Sequence, residues 1–378
     1  MSAELLKEYE RRMAMIDTLM DQNDLDAVLF ISTAVMSRQL CVKFMTGYTL
    51  ITRTAFVFKK KGELPFLIVP TVGQQYNAQK ATWLPEENVL CGGIELAAEK
   101  IDALGKPCPR IGRYEPEEVT VALNRSLEAI SAEYVDLTDQ FTNARANKSE
   151  YELECIRETS RVAAASFEYI VRNIAPGKTE QELIGGAEGF LRAHGAQETL
   201  ILTRSLKPHT FITRPTSVQI KEDGMFVYSA EVGGENGYWT QLVRPIFMCR
   251  GAEPEAYEIL QVIKKAEAAG AAAFVPGNTI SDVAAAVEKV VIENGCQTGV
   301  WSGHGMGIDL GDGVGIGVPN KMKIVPNMIL TLHPSVIGKN DGLLYGNTWM
   351  STEHDGAVCL SPQYKDVHYL EDLKELIK

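Results

Sequence analysis

The 378-residue sequence contains no apolar stretch that approaches the ~18 residues a membrane span requires. Residues 1–24 are charged and helix-like, and they lack the apolar core of a secretory signal peptide. The seven cysteines are scattered, odd in number and never spaced as C-x-x-C, which argues against a zinc ribbon or a disulfide framework. We therefore expect a cytoplasmic protein with reduced cysteines.

An excess of positive charge is also missing. The chain has 37 Lys and Arg against 49 Asp and Glu, which leaves a formal net charge of −12 at pH 7. A nucleic acid requires a basic surface to meet its phosphates, so this acidic composition argues against such a partner. The sequence also lacks a Walker motif and a Gly-x-Ser-x-Gly nucleophile elbow. A small molecule is the expected partner.

What is present is a chain long enough for two or three globular domains. Strand-like and helix-like segments alternate up to about residue 142, which predicts a small α/β domain. Residues 143–149 form the best linker, and a long helix is predicted from about 149 to 173. Its start carries a capping-box pattern, Ser149 followed by Glu152. The expected elements before the linker are helices at 5–22 and 116–130, and strands at 27–31, 54–58, 66–69, 110–112 and 134–137. A turn at 59–62 is expected to join the second and third of these strands as a hairpin.

The strongest internal signal is a repeat. Residues 174–197 and 274–297 align without a gap at an offset of 100 residues. Each copy has Pro-Gly, then a Thr that can cap a helix, then an amphipathic helix ending at Gly. Chance similarity of two connections is the alternative. We favour one domain built from two related halves, with a site between them.

Three of the six histidines lie in suggestive places. His304 is flanked by glycines in Ser-Gly-His-Gly-Met-Gly, His333 ends an apolar strand before a proline, and His209 follows Lys-Pro in a loop. Histidine is suited to proton transfer near neutral pH, so each is a candidate catalytic residue. The alternatives are a buried turn residue for His304, a core residue for His333 and a surface residue for His209. Surface positions are predicted for the others, at 194, 354 and 368.

A glycine-rich run at 311–317 contains Gly-x-Gly-x-Gly, but no helix follows it. A dinucleotide fingerprint requires a strand, a turn and a helix in that order. We therefore interpret the run as a substrate loop or a connector, and we expect no cofactor there.

The order of these features resembles the pita-bread enzymes, which include aminopeptidase P, prolidase, methionine aminopeptidase and creatinase. The motifs are the small α/β domain, the Lys-Ser-Glu helix, two Pro-Gly-x-Thr helices, Gly-His-Gly and a strand ending in Pro. The resemblance covers nearly the whole chain. It implies an α/β fold with a creatinase-like N-terminal domain at residues 1–142 and a pseudo-two-fold pita-bread domain at residues 143–378.

The resemblance also implies a dinuclear metal centre held by two Asp, one His and two Glu. Carried over position by position, these ligands fall at Ala230, Gln241, His304, His333 and Gly346, so only the histidine is retained. Two divalent cations need several carboxylate oxygens, and the dinuclear centre is therefore expected to be absent. A single transition metal held by His304, His333 and Glu231 remains an alternative.

Creatinase is the member of this family that works without metal, and several details are similar to it. Tyr238 and Arg244 lie in a Tyr-Trp-Thr…Arg segment that resembles the Tyr-Tyr-Thr…Arg of creatinase. Arg53 resembles the arginine that creatinase supplies from a partner subunit to a substrate carboxylate. His209 lies near the position of the creatinase general base, if a small insertion is assumed. The residues predicted to bind substrate are Arg53, Glu231, Tyr238, Gln241, Arg244 and Glu353.

Creatine itself is not the expected substrate. Creatinase places two glutamates around the substrate guanidinium, and the matching positions here are Val243 and His333. A guanidinium would be left poorly paired in such a pocket. We therefore predict a metal-independent homodimeric hydrolase that cleaves a C–N bond of a small amino-acid-derived substrate. His209 or His333 would be its general base, and His304 would donate a hydrogen bond to the oxyanion or the leaving nitrogen. The alternatives are a metal-dependent Xaa-Pro peptidase with an unusual site and an inactive peptide-binding protein.

Overall fold

The computed structural model describes residues 2–36, 38–299, 302–317, 319–354 and 356–378. The chain divides into two compact units, Met1–Arg145 and Ala146–Lys378. The predicted mixed α/β class is confirmed. Throughout the described ranges, none of the helices combines the length and the apolar character needed to cross a bilayer. The seven cysteines, all within the described ranges, form no disulfide bonds.

The first unit is a mixed sheet with the strand order β4-β3-β2-β1-β5-β6. The predicted hairpin is confirmed, because β2 and β3 pair antiparallel on either side of a turn in which Gly62 takes a left-handed φ of 71°. Its strands are β1 (Ala27–Thr33), β2 (Thr54–Lys60), β3 (Phe66–Val69), β4 (Val89–Cys91), β5 (Arg110–Arg113) and β6 (Glu133–Asp136). Its helices are α1 (Ala3–Gln22), α2 (Leu40–Thr46), α3 (Val72–Ala81), α4 (Ile94–Asp102), α5 (Val121–Glu128) and α6 (Thr138–Ala146), with 3₁₀ turns at Glu86–Asn88 and Pro116–Glu118.

Two predictions for this region are wrong in detail. The single helix expected at 116–130 is a 3₁₀ turn followed by α5, because the new N-cap Thr120 accepts a hydrogen bond from Leu123 N. The linker expected at 143–149 is helical as far as Ala146. Only three residues then separate α6 from the next helix, which begins at Glu150 with the predicted capping box.

The second unit carries a sheet with the order β11-β12-β15-β9-β8-β7, to which β16 adds beside β15, and a smaller sheet β10-β13-β14. Its helices are α7 (Glu150–Asn173), α8 (Glu180–Ala193), α9 (Pro254–Ala273), α10 (Ile280–Glu293) and α11 (Leu370–Leu376). Its strands are β7 (Glu198–Arg204), β8 (Met225–Gly233), β9 (Trp239–Phe247), β10 (Gln297–Thr298), β11 (Gly303–Gly305), β12 (Ile329–Leu332), β13 (Ser335–Ile337), β14 (Gly342–Leu344), β15 (Gly346–Ser351) and β16 (Ala357–Cys359).

The predicted repeat is visible in the element bounds. Helices α8 and α10 begin and end at positions that differ by 100 residues, and both start at a threonine N-cap. Thr179 N donates to the Glu182 carboxylate at 2.8 Å, and Thr279 N donates to the Asp282 carboxylate at 2.7 Å. The same local chemistry therefore starts a helix at the same place in each copy.

The buried core of this unit follows the two helix pairs. One cluster joins α7 and α8 to the even-numbered residues of β8, such as Phe226, Tyr228 and Ala230. A second cluster joins α9 to β13 and β14, and a third joins α9 and α10 to β12. Because successive strand residues point to opposite faces, the odd-numbered residues near the middle of β8 face away from α7 and α8.

Candidate functional site

The hairpin of β8 and β9 supplies a carboxyl and an amide to one face of the sheet. The register places Glu231 opposite Gln241, and Gln241 Nε2 donates to Glu231 Oε1 at 3.2 Å. Ala230 lies on the other face, in the core with α7 and α8. The expectation that position 230 marks the place of the first metal ligand is wrong. In this register Glu231 is the residue that shares a face with Gln241.

Glu231 is uncharged near neutral pH. It is only 7% exposed, and burial raises its pKa to about 8. Among the described residues, Glu231 has the amide of Gln241 as its side-chain hydrogen-bond partner, and Gln241 Nε2 also lies 3.4 Å from Ser229 Oγ. Gln241 Oε1 is buried and accepts no hydrogen bond from the described residues. The pair therefore offers an acid proton and an amide oxygen, with no formal charge.

The second part of the site consists of two histidines on neighbouring strands. His304 lies on β11 and His333 follows β12, and their rings meet edge to face with centroids 5.2 Å apart. His333 N donates to Ser302 O at 3.0 Å, which fixes the backbone at the end of the strand. The structure thus brings together two of the histidines that the sequence predicts to be catalytic.

Both rings are neutral. Burial, and then the neighbouring His304, lower the pKa of His333 to about 3, while burial lowers the pKa of His304. His304 Nδ1 lies 3.0 Å from Gly305 O, and a carbonyl only accepts, so this contact favours the tautomer with the proton on Nδ1 and a lone pair on Nε2. Neither ring nitrogen of His333 has a hydrogen-bond partner among the described residues. His333 can therefore donate from one nitrogen and accept at the other.

The glycine-rich run supports the strand that carries His304. Gly305 N donates to Val314 O at 2.6 Å, and Ile316 N donates to Gly303 O at 2.9 Å. Of the two interpretations offered by the sequence, these contacts describe a connector that packs against β11.

His209 is fully buried and is paired with an aspartate. Its Nδ1 lies 2.8 Å from Asp341 Oδ2, and its backbone N–H donates to Asp341 Oδ1 at 3.0 Å. Its Nε2 has no partner among the described residues. This pair could not be predicted from the sequence, because the two residues are 132 positions apart and Asp341 stands in an Asn-Asp-Gly segment that is typical of a plain turn.

The two residues predicted to shape the pocket make structural contacts. The Arg244 guanidinium is fully buried and donates to Asn347 Oδ1 at 2.7 Å, to Gly346 O at 3.0 Å and to Ser361 O at 2.7 Å. It therefore ties β9 to β15 and to the segment beyond β16. The Tyr238 hydroxyl donates to Glu152 at the start of α7 at 2.9 Å.

Two further residues predicted to bind substrate are exposed. Arg53 is exposed on a loop of the first unit, where its φ is 65°. Glu353 is exposed beside His354. The prediction that His368 lies on the surface is wrong, because it is 5% exposed and packs edge to face against Tyr345. The proposed substrate contacts of Arg53 and Glu353 stay predictions.

A dinuclear metal centre does not fit the residues present. Gly346 takes the place of the last carboxylate, and a Cβ there would collide with Leu332 O and lie 2.5 Å from His333 Cα and Cβ. Asn347 beside it is engaged with Arg244 and with Glu267. Across the described ranges, no three His, Cys, Asp or Glu side chains come together as metal ligands, which also speaks against the His304–His333–Glu231 alternative. One neutral carboxyl cannot supply the charge that two divalent cations require.

Comparison with known proteins shows which family the chain comes from. The model of metallopeptidase family M24 matches residues 154–372, which is more than half of the sequence. The chain belongs to this family. It is 24% identical over 307 residues to the uncharacterized peptidase YqhT of Bacillus subtilis (strain 168), covering 78% of this chain and 83% of that protein.

Solved structures show the same fold. The Xaa-Pro dipeptidase from Bacillus anthracis superposes with a TM-score of 0.80 at 19% identity, covering 96% of this chain and 99% of that one. The X-Pro aminopeptidase from Thermotoga maritima MSB8 gives a TM-score of 0.82 at 17% identity, covering 94% and 99%. The predicted pita-bread resemblance is confirmed. Membership in M24 places the chain among hydrolases of peptide-type C–N bonds.

Proposed function

We propose that this M24 chain hydrolyses a C–N bond of a small amino-acid-derived substrate without a dinuclear metal centre. The observation that carries the proposal is that the buried polar atoms without a partner among the described residues include His209 Nε2, both ring nitrogens of His333 and Gln241 Oε1. Buried polar atoms are paired in native proteins unless a water or a ligand supplies the partner. A polar substrate and an attacking water are partners of the required kind.

Hydrolysis of a C–N bond needs three functions from the side chains of the site. A base must take a proton from water, a donor must stabilise the oxyanion that forms on the substrate, and a proton must reach the leaving nitrogen as the C–N bond breaks. Neutral imidazoles supply the first two. His333 can donate a hydrogen bond to the oxyanion, whereas His304 with its proton on Nδ1 offers a lone pair for an N–H of the leaving group. This differs from the donor role predicted for His304.

The neutral side chains of the site indicate what charge a bound substrate would carry. Val243 is buried in the core, and His333 and Glu231 are neutral near pH 7. A cationic guanidinium would find no carboxylate partner among these side chains, and an unpaired buried cation is costly. A neutral amide, or a group that carries negative charge, suits the site better.

The test is turnover of a panel of Xaa-Pro dipeptides, N-acyl amino acids and ureido acids, in the presence of a chelator. His304→Ala and His333→Ala are each expected to lower kcat about 10²–10⁴-fold, because each removes a group that handles a proton or the oxyanion. His194→Ala is the control, since this exposed ring at the end of α8 stacks on Phe190. Full turnover in both site variants would contradict the proposal. Specific binding of a peptide without cleavage would instead indicate a peptide-binding protein.

We also propose that the chain acts as a homodimer in the cytoplasm, with Arg53 of one copy binding a substrate carboxylate in the other. A guanidinium with two parallel donors suits a carboxylate, and Arg53 is exposed where it could serve this purpose. Light scattering would report the oligomeric state.

A further inference from the structure

The pairing of His209 with Asp341 has the geometry of a base and its orienting acid. Both side chains are fully buried, with 0% side-chain exposure. Asp341 accepts from the backbone N–H and the Nδ1 of His209, and from Gly342 N at 2.8 Å. The carboxylate therefore fixes both the backbone and the ring of His209.

The same loop is attached to the segment that follows His333. Thr210 Oγ1 lies 2.6 Å from Ser335 Oγ at the start of β13, and Asp341 immediately precedes β14. These contacts tie the His209 loop to the segment that follows His333, because Thr210 adjoins His209 and Ser335 lies two residues after His333.

The ionisation of Asp341 decides which nitrogen of the ring is protonated. Burial raises its pKa, but the hydrogen bonds from His209 and Gly342 outweigh burial and leave the pKa below its ordinary value. An ionised carboxylate can only accept, so the neutral ring must carry its proton on Nδ1. The lone pair then lies on Nε2, the atom that no described residue contacts with a hydrogen bond.

We infer that Asp341 is a positioning residue that holds His209 in the Nδ1–H tautomer, so that His209 Nε2 is the general base of this site. The inference rests on the proposed hydrolysis and decides between the two bases that the sequence left open. His333 lacks such an acidic partner among the described residues, and no hydrogen bond from them favours one tautomer of its ring over the other.

In the proposed reaction, His209 transfers one proton from water to the leaving nitrogen. Nε2 takes a proton from water as the water oxygen bonds to the substrate carbon, and the electron pair of the C=O or C=N bond moves to the heteroatom. The pair then returns as the C–N bond breaks, and the imidazolium gives its proton to the leaving nitrogen. Asp341 stays ionised throughout and stabilises the imidazolium.

The test is Asp341→Asn, which keeps one oxygen for the backbone donors but places an NH₂ group opposite His209 Nδ1. The ring must then accept at Nδ1 and carry its proton on Nε2, where it cannot act as a base. We expect kcat to fall about 10²–10⁴-fold with KM changed less than about threefold, as for the wrong tautomer in other hydrolases. Asp366→Asn, at an exposed ion pair with Lys264, is the control.

A second readout does not depend on turnover. Histidine ¹⁵N NMR should show the His209 proton on Nδ1 in the native chain and on Nε2 in Asp341→Asn. A native Nε2–H tautomer, or full kcat in Asp341→Asn, would overturn the inference. If the variant does not fold, the native spectrum and His209→Gln, which should lose turnover equally, decide the matter. If the native chain cleaves no C–N bond, the proposed function fails, and the tautomer then shows separately whether Asp341 orients the ring.

Discussion

The two halves of the second unit have the same scaffold and different chemistry. Helices α8 and α10 correspond residue for residue, and each begins at a threonine with an acidic residue three positions later. On the face of the sheet that carries the site, however, the first half contributes Glu231 and Gln241, while the second contributes His304 and His333.

The comparison shows how the residues that face a site can differ while the fold is kept. In the β8–β9 hairpin the residues that hold the fold and those that face the site alternate, so that Ala230 packs with α7 and α8 while Glu231 does not. Site residues can therefore change without disturbing the core. The second half differs, because its glycine at 346 packs directly against the backbone of its histidine.

The largest effect is expected at a close backbone contact in the second half. Gly346→Ala places a Cβ 2.5 Å from His333 Cα and against Leu332 O, so backbone must move, and we expect a loss of about 3 kcal/mol in the free energy of unfolding. Gly189→Ala in α8 meets nothing within 4 Å and should be neutral or slightly stabilising. Urea unfolding measures both. Equal stability of the two variants would mean that position 346 can accept a side chain and that the site could hold a carboxylate there.

The first half is distinguished by a carboxyl that is neutral when folded. The pKa of Glu231 is about 8 in the folded chain against an ordinary value of 4.5, so between these values the folded state keeps a proton that the unfolded state loses. Stability is therefore fully present below about pH 4.5 and falls as the pH rises towards 8, by up to about 1.4 kcal/mol per pH unit for this group.

Glu231→Gln removes that dependence. In urea unfolding at pH 5 and pH 8, the variant should gain stability relative to the native chain as the pH rises. Glu222→Gln, at an exposed residue, should show no such trend. A constant difference between Glu231→Gln and the native chain would mean that the carboxyl is already ionised and available as a charged ligand.

The scaffold could be predicted from the sequence more fully than the site. The signals that start and end helices, such as Pro-Gly, a threonine N-cap and a terminal glycine, act over a few residues. The repeat and the capping box at Ser149 could therefore be predicted correctly. Long-range pairing has no such local signal. The partnership of His209 with Asp341 spans 132 positions and depends on how β13 and β14 pack.

The face of the sheet on which Glu231 lies could not be predicted from the sequence either. The register of the β8–β9 hairpin is set by its turn, where Gly234 N donates to Tyr238 O at 2.9 Å. A shift of one residue moves every side chain of a strand to the other face. Counting along the sequence placed position 230 at the site, whereas the register places it in the core.

Whether the chain works without a dinuclear metal centre is decided most directly by the metal content of the purified chain after incubation with Mn²⁺, Co²⁺ or Zn²⁺ and desalting, measured together with turnover in a chelator. We expect well under one ion per chain and turnover that the chelator does not reduce. Stoichiometric loading of about two ions per chain, with turnover abolished by chelation, would contradict it.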